Sequence, residues 1–173
     1  MNNKNFKFRF FNFKFECMKY TIHTDGGSRG NPGPAAIGVV ISAEDGPRSK
    51  KRSDLVSLGW KKEYGEYIGV TTNNEAEYQA VIFALKKIKQ LIGNEKAEQA
   101  HVIFQMDSEL LVKQLNHQYK VKEDNIQKLF LEVHNLRMDF GKVEFKHVLR
   151  GKNAEADRLA NEALDRKSNK LNL

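Results

Sequence analysis

Residues 20–41 read YTIHTDGGSRGNPGPAAIGVVI, and this stretch decides the fold. Two apolar runs of β-forming residues flank a segment dense in glycine, asparagine and proline, a pattern that predicts two strands joined by a tight turn. Asp25 stands at the end of the first run, directly before the predicted turn. A single carboxylate does little chemistry, so the meaning of Asp25 depends on whether the chain brings further acids to the same place.

Beyond this hairpin, the sequence predicts a third strand and then helices that alternate with strands. The predicted strands cover residues 19–24, 36–42, 65–70, 101–106 and 142–149. The predicted helices cover residues 73–92, 108–116, 126–139 and 154–166, where apolar residues recur at three- and four-residue spacing. An antiparallel meander followed by alternating elements indicates an α/β domain with a mixed five-stranded sheet flanked by helices.

The length and the cysteine content narrow the class of protein. The chain has 173 residues, enough for one domain with a hydrophobic core. No apolar run approaches the ~20 residues that span a bilayer, and the single cysteine excludes an internal disulfide. No cluster of cysteine and histidine has zinc-binding spacing. We therefore expect a cytoplasmic protein that is monomeric and has no membrane partner.

The net charge of +7 is concentrated in two segments. Residues 1–17 contribute +3 (four basic residues minus one acid), and residues 48–62 contribute +5 (six minus one). The rest of the chain therefore sums to about −1 (7 − 3 − 5). Local basic surface favours an anionic partner such as nucleic acid.

Residues 1–17 are rich in phenylalanine, lysine and asparagine and lack the pattern of a secretory signal. We expect them to form a basic extension, disordered or weakly ordered, before a folded domain at residues 18–168 and a short tail at residues 169–173. An alternative is that the extension lies on nucleic acid, with aromatic rings on bases and lysines on phosphates.

Four acids stand at predicted strand or helix ends: Asp25, Glu77, Asp107 and Asp157. Each has an ordinary structural interpretation. Asp25 is a turn former, and Glu77 fits a capping box with Asn74. Asp107 is a preferred helix N-cap residue, and Asp157 complements a helix dipole. Taken singly, each acid is more often structural than catalytic.

Taken together, the four acids favour a metal site. Strand and helix ends of a layered α/β sheet can converge on one edge, where four carboxylates would repel unless a cation lay among them. Hard oxygen ligands without histidine or cysteine suit Mg²⁺ or Mn²⁺. Two such ions ~4 Å apart can activate a water and stabilise the leaving oxygen of a phosphodiester displacement.

Four segments make a family resemblance specific. TDGGSRGNPGPAA, TTNNEAEYQAVIFAL, QMDSELLVKQL and EADRLANEAL resemble, in order, the signature blocks of the type 1 ribonuclease H family, and the resemblance covers residues 19–164. It implies the ribonuclease H-like fold and an endoribonuclease that hydrolyses the RNA strand of RNA–DNA hybrids, leaving a 5′-phosphate and a 3′-hydroxyl. It also implies two Mg²⁺ ions, with Mn²⁺ as a substitute, held by the catalytic residues Asp25, Glu77, Asp107 and Asp157.

The resemblance further implies a set of substrate-binding residues around the turn and the start of the next helix. They are Gly26, Gly27, Ser28, Arg29, Asn31, Asn73 and Asn74. In the family this turn approaches the minor groove, where ribose 2′-hydroxyls distinguish RNA from DNA. Glycines there would let the backbone come close to a ribose.

The sequence departs from the family pattern in two places. The segment before Asp157, VLRGKNAEAD, is short and lacks the loop histidine of many bacterial members, as in archaeal and some bacterial relatives. His147 lies inside a predicted strand, so we expect Arg150 or Lys152 to contact phosphate instead. The basic protrusion that some members carry is also absent, because residues 116–125 form only a short linker.

One alternative function is excluded by the sequence, and two others stay open. GGSRG is not a dinucleotide-binding loop, because it leads through Pro32 and Pro34 into a strand and not into a helix. A non-catalytic nucleic-acid-binding module on the same fold stays open, although no acid is missing. A related nuclease that also or mainly cuts double-stranded RNA stays open as well.

Overall fold

The computed structural model describes residues 18–43 and 59–171. Five strands form one mixed sheet in the order β3-β2-β1-β4-β5. The strands are β1 (Lys19–Ser28), β2 (Gly33–Ala43), β3 (Lys61–Thr71), β4 (His101–Met106) and β5 (Lys142–His147). The helices are α1 (Asn73–Ile92), α2 (Asn94–Ala97), α3 (Glu109–Leu115), α4 (Asp124–Arg137) and α5 (Ala154–Leu171), with a 3₁₀ turn at Arg150–Lys152.

The sheet has the mixed topology that the sequence predicts. β2 pairs antiparallel with both β1 and β3, whereas β4 pairs parallel with both β1 and β5. The predicted α/β class is therefore confirmed. The predicted extension at residues 1–17 and most of the basic segment at residues 48–62 lie outside the described residues.

The two faces of the sheet carry different helices. α1, α3 and α4 bury a large apolar cluster on one face, where Tyr20 and Ile22 of β1 are almost fully buried. α5 covers the other face and packs Ala163 and Leu164 against Ala36 of β2. No helix in the described part of the chain is long and apolar enough to cross a membrane.

Several predicted boundaries were wrong, and the first concerns Asp25. β1 continues past residue 24 to Ser28, so Asp25 lies within the strand and pairs with Gly38 of β2. The turn is confined to residues 29–32, where Gly30 has a φ of 108° that a side chain would strain. Nothing in residues 25–28 breaks the ladder, because none is a proline or has positive φ.

Other predicted boundaries also differ from those in the structure, and two of them matter here. β3 begins at Lys61, so Lys61 and Lys62 belong to a strand and not to a basic loop. Lys61 forms ion pairs with Glu63 and Glu155, so its charge is already compensated. α5 continues to Leu171, so residues 169–171, predicted as part of a tail, are helical.

Two strand glycines let helices approach the sheet closely. A Cβ on Gly26 would lie 2.3 Å from the backbone carbonyl carbon of Ala76 in α1. On the other face, a Cβ on Gly38 would lie 1.9 Å from the carbonyl oxygen of Ala156 in α5. Each helix residue directly precedes one of the acids, Glu77 or Asp157. Gly26 therefore serves helix packing, and its expected role near a ribose stays a prediction.

We expect Gly38→Ala to lower the free energy of unfolding by about 1–3 kcal/mol, because the added methyl group must displace the α5 backbone. Urea denaturation followed by circular dichroism measures this change. Gly151→Ala is the matched control, since a Cβ there meets nothing within 4 Å. Equal midpoints for the two variants would show that α5 does not lie against β2 in this way.

Candidate active site

The four predicted acids line one pocket of about 340 Å³. Each comes from a different part of the fold: Asp25 lies in the middle of β1, Glu77 in α1, Asp107 directly after β4 and Asp157 in α5. β1 and β4 pair in parallel up to His23 opposite Gln105. Asp25 and Asp107 each follow two residues after this pair. They therefore lie at the edge of the sheet where open α/β sheets place their ligands.

The structural interpretations of two acids are wrong, because neighbouring residues fill those roles. Thr72 caps α1, and its partner in the capping box is Glu75: the Thr72 hydroxyl accepts from the Glu75 N–H, and the Glu75 carboxylate accepts from the Thr72 N–H. Ser108 caps α3 by accepting a hydrogen bond from the Leu111 N–H at 3.3 Å. Glu77 and Asp107 are therefore not needed to cap helices.

Burial and mutual repulsion make two of the carboxyl groups weaker acids. Burial is the main cause that raises the pKa of Asp25 to about 6, and the charges of Asp107 and Asp157 add to it. Burial also raises the pKa of Glu77 to about 7, with Asp25 and Asp107 adding and a hydrogen bond with Ser108 opposing. Ionising all the acids at neutral pH is therefore costly unless positive charge enters the pocket.

Three of the acids have polar partners of their own. Asn73 Nδ2 donates to Glu77 Oε1 at 3.2 Å, and Asn153 Nδ2 donates to Asp107 Oδ1 at 2.8 Å. Arg150 Nη2 donates to Asp157 Oδ1 at 3.2 Å, from a side chain that is 80% exposed.

Within the described residues, no three histidine, cysteine, aspartate or glutamate side chains converge closely enough to hold an ion. The structure thus brings the acids to one pocket, and their role as metal ligands stays a prediction.

The donor chemistry of the pocket suits a hard divalent cation. The lining residues, all in the described part of the chain, include four carboxylates, two asparagines and two serines but no histidine or cysteine. They are Asp25, Gly26, Gly27, Ser28, Arg29, Asn73, Glu77, Asp107, Ser108, Arg150, Asp157, Ala160, Asn161 and Leu164. Oxygen-only ligand sets are those that Mg²⁺ and Mn²⁺ prefer.

Most of the predicted substrate-binding residues lie at this pocket. Those that line it are Gly26, Gly27, Ser28, Arg29 and Asn73, whereas Asn31 and Asn74 do not. Asn31 lies next to the pocket, because its Oδ1 accepts a hydrogen bond from the Asn73 N–H at 3.2 Å. Asn31 thus ties the turn to the start of α1. Arg29 forms an exposed ion pair with Asp165 of α5.

The structure also shows where His147, Arg150 and Lys152 lie, the residues considered in connection with the missing loop histidine. His147 lies in β5, as predicted, although the strand ends at this residue and not at residue 149. Its Nε2 lies 3.2 Å from the backbone oxygen of Asp107, and it does not line the pocket. Of the two candidate phosphate contacts, Arg150 lines the pocket and Lys152 does not. Trp60 is partly buried and packs against Tyr20, with 6.0 Å between the ring centroids.

Sequence reasoning missed Ser108 and Asn153. Ser108 follows Asp107 directly, and that position was the one available signal. Asn153 is 1% exposed and contacts Asp107, although an asparagine before a helix normally indicates only a cap.

The mixed sheet, the helices on both faces and the acid-lined pocket beside β1 define a ribonuclease H-like α/β domain. Comparison with known proteins agrees: residues 23–163 match the family described as reverse transcriptase-like. The chain belongs to this family, and its likeness to the proteins below confirms the predicted resemblance to type 1 ribonucleases H.

Two curated relatives and one solved structure illustrate the similarity. The chain is 38% identical over 148 residues to the bifunctional protein Rv2228c of Mycobacterium tuberculosis, covering 86% of this chain and 36% of that protein. It is 38% identical over 141 residues to ribonuclease HI of Halobacterium salinarum, covering 82% of this chain and 62% of that protein. It thus spans less than two thirds of the length of either relative.

The solved structure is LC11-RNase H1 in complex with an RNA/DNA hybrid. It superposes with a TM-score of 0.71 and 41% identity, covering 86% of this chain and 98% of that chain. This likeness agrees with the predicted ribonuclease H-like fold.

Proposed function

We propose that this chain is an endoribonuclease that hydrolyses the RNA strand of RNA–DNA hybrids and leaves a 5′-phosphate and a 3′-hydroxyl. The observation that carries the proposal is that Asp25, Glu77, Asp107 and Asp157, from four separate elements, line one pocket. The relatives named ribonuclease HI and RNase H1, one of them solved with an RNA/DNA hybrid, support the reaction and the substrate class.

We assign two Mg²⁺ ions, or Mn²⁺ as a substitute, to the four acids. Asp25 would contribute to both ions, Glu77 and Asp107 would help to hold one, and Asp157 would help to hold the other. When bound, such ions supply an activated water and neutralise charge on the leaving oxygen. The raised pKa values of Asp25 and Glu77 support this assignment, because a nearby cation would offset both the burial and the repulsion that raise them.

Residues of the chain itself would position the hybrid. The pairing of β1 with β4 ends at His23, and further along β1 the residues Gly27 and Ser28 border the pocket. A Cβ on Gly27 would meet only Asn73 Oδ1, at 4.0 Å, so this glycine leaves open space for a ribose hydroxyl. The predicted role of Gly27 and Asn73 in substrate binding therefore stays part of the proposal.

The direct test is incubation of the purified chain with labelled RNA–DNA hybrid, double-stranded RNA and double-stranded DNA, in Mg²⁺, Mn²⁺ or chelator. We expect metal-dependent cleavage of the hybrid RNA, with the predicted end groups. No cleavage in either metal would overturn the enzyme proposal, and tight hybrid binding without cleavage would favour the non-catalytic module. Faster cleavage of double-stranded RNA would favour the related nuclease.

We also propose that the protein is a monomer in the cytoplasm. Light scattering tests the oligomeric state, and cell fractionation tests the location.

We expect Arg150→Ala to lower kcat on the hybrid about tenfold, because the exposed guanidinium lines the pocket and can pair with a phosphate. Arg150→Lys should recover part of the loss, since a lysine keeps the charge but not the bidentate geometry. Lys152→Ala should stay within about twofold of the wild type. A larger loss for Lys152→Ala than for Arg150→Ala would reverse the assignment.

A further inference from the structure

Two buried side-chain atoms among the described residues lack a hydrogen-bond partner: His23 Nδ1 and Asn153 Oδ1. Asn153 is 1% exposed, and its amide nitrogen donates twice, to the backbone oxygen of Thr24 at 3.0 Å and to Asp107 Oδ1 at 2.8 Å. These two bonds fix which end of the amide is the nitrogen, since both partners are acceptors. The amide oxygen is therefore buried without a hydrogen-bond partner.

The Asn153 side chain does not make the hydrogen bond that is usual for a helix N-cap residue. Asn153 is the N-cap residue of α5, because its backbone oxygen accepts the hydrogen bond from the Asp157 N–H at 3.1 Å. An N-cap side-chain oxygen normally accepts from an N–H in the first turn of its own helix. The Asn153 side chain instead ties the start of α5 to β1 and to Asp107. It thereby connects the elements that carry Asp25, Asp107 and Asp157.

The atom that complements the free amide oxygen belongs to His23. This residue lies two positions before Asp25 on the same face of β1, the face that α5 covers. The Asn153 amide lies beside this residue, because its nitrogen donates to the backbone oxygen of Thr24, the next residue of β1. A proton on Nδ1 makes the two atoms donor and acceptor, whereas a bare Nδ1 would set two lone pairs against each other.

We infer that His23 and Asn153 form a buried positioning pair, in which His23 Nδ1–H holds the Asn153 amide and the amide orients the Asp107 carboxylate. Neither residue touches substrate, and both act through Asp107. The inference rests on the proposed function for its catalytic consequence. Groups that orient a metal-binding side chain typically change metal affinity or activity by about 10–100-fold when removed.

The first test needs no mutation and no activity. Long-range ¹H–¹⁵N correlation spectra of ¹⁵N-labelled wild-type protein at pH 8 report which ring nitrogen of His23 carries the proton. We expect the Nδ1–H form. A ring protonated on Nε2 alone would overturn the inference, whether or not the chain cleaves a hybrid.

The second test uses matched variants. His23→Phe keeps a ring of similar size without a donor, and His23→Asn places an amide N–H close to where Nδ1 lies. We expect His23→Phe to weaken Mn²⁺ binding, measured by calorimetry without nucleic acid, by about tenfold. The kcat on hybrid should fall by a similar factor with KM nearly unchanged, and His23→Asn should restore most of both values.

His134→Phe is the control, since His134 lies on α4 and does not line the acid pocket. Unchanged Mn²⁺ affinity in His23→Phe would overturn the inference, as would equal defects in His23→Phe and His23→Asn. If the wild type cleaves no hybrid, the proposed function fails, and the tautomer and Mn²⁺ affinity still decide this inference.

Discussion

Asp25→Asn should lower kcat for cleavage of the hybrid RNA by on the order of 10³-fold or more, because it removes several kcal/mol of charge stabilisation from the reaction. Asp25 interacts with the other acids of the pocket: burial raises its pKa most, the charges of Asp107 and Asp157 add to this, and its own charge helps to raise the pKa of Glu77. No other carboxylate of the pocket is placed to take over this position. Single-turnover cleavage of a labelled hybrid in Mg²⁺ measures the effect.

Asp25→Asn should not weaken binding of the hybrid, although it lowers kcat. Removing a negative charge from the pocket reduces repulsion of the phosphate backbone, so the Kd for the hybrid should be equal or lower in Asp25→Asn. Asp139→Asn is the matched control: it removes an acid that pairs with Lys89 at 2.8 Å, away from the pocket. Wild-type activity in Asp25→Asn would identify the cleavage as a contaminating nuclease.

The sequence predicted the elements well because periodicity and turn residues are local signals. The helix at residues 73–92 has the bounds of α1, and the strand at residues 101–106 has those of β4. The four signature segments led to the family and to the four acids that the structure finds at one pocket. We expected the acids to converge because each was predicted at an element end, and they do line one pocket although Asp25 lies within β1.

What the sequence could not predict depends on contacts between distant segments. Gly26 and Gly38 looked like turn or strand glycines, and only the helices packed on them show why a side chain is excluded. Asn153 looked like a cap, and only its distance to Asp107, 46 residues earlier, shows another role. The capping box was misassigned for a smaller reason: α1 begins after Thr72, so its third residue is Glu75.

In the absence of divalent cations, the free energy of unfolding should fall as the pH rises from about 4 to about 7. Burial and neighbouring charges raise the pKa of Asp25 from 3.8 to about 6 and that of Glu77 from 4.5 to about 7 in the folded chain. In this window the folded state keeps protons that the unfolded state has released, so stability decreases as the pH increases. Below the window both states are protonated, and above it both are ionised.

The size of the effect follows from the two shifts. At about 1.36 kcal/mol for each pKa unit, and with allowance for the coupling of the two groups, the loss should reach at least about 3 kcal/mol. Other acids oppose it: ion pairs with lysines lower the pKa of Glu144 to about 2, and such groups favour the folded state as the pH rises. The informative quantity is therefore the difference between the wild type and Asp25→Asn/Glu77→Gln, a variant that lacks both titrations.

Urea denaturation in chelator between pH 4 and pH 8 measures this difference. The double variant should match the wild type near pH 4 and exceed it near pH 7, since it keeps two neutral side chains where the wild type is ionised. Mg²⁺ should raise the stability of the wild type at pH 7 by binding the ionised acids of the folded state, and should leave the double variant nearly unchanged. Parallel pH profiles, or equal stabilisation of both proteins by Mg²⁺, would show that these two carboxyl groups are not the ones that repel each other in the pocket.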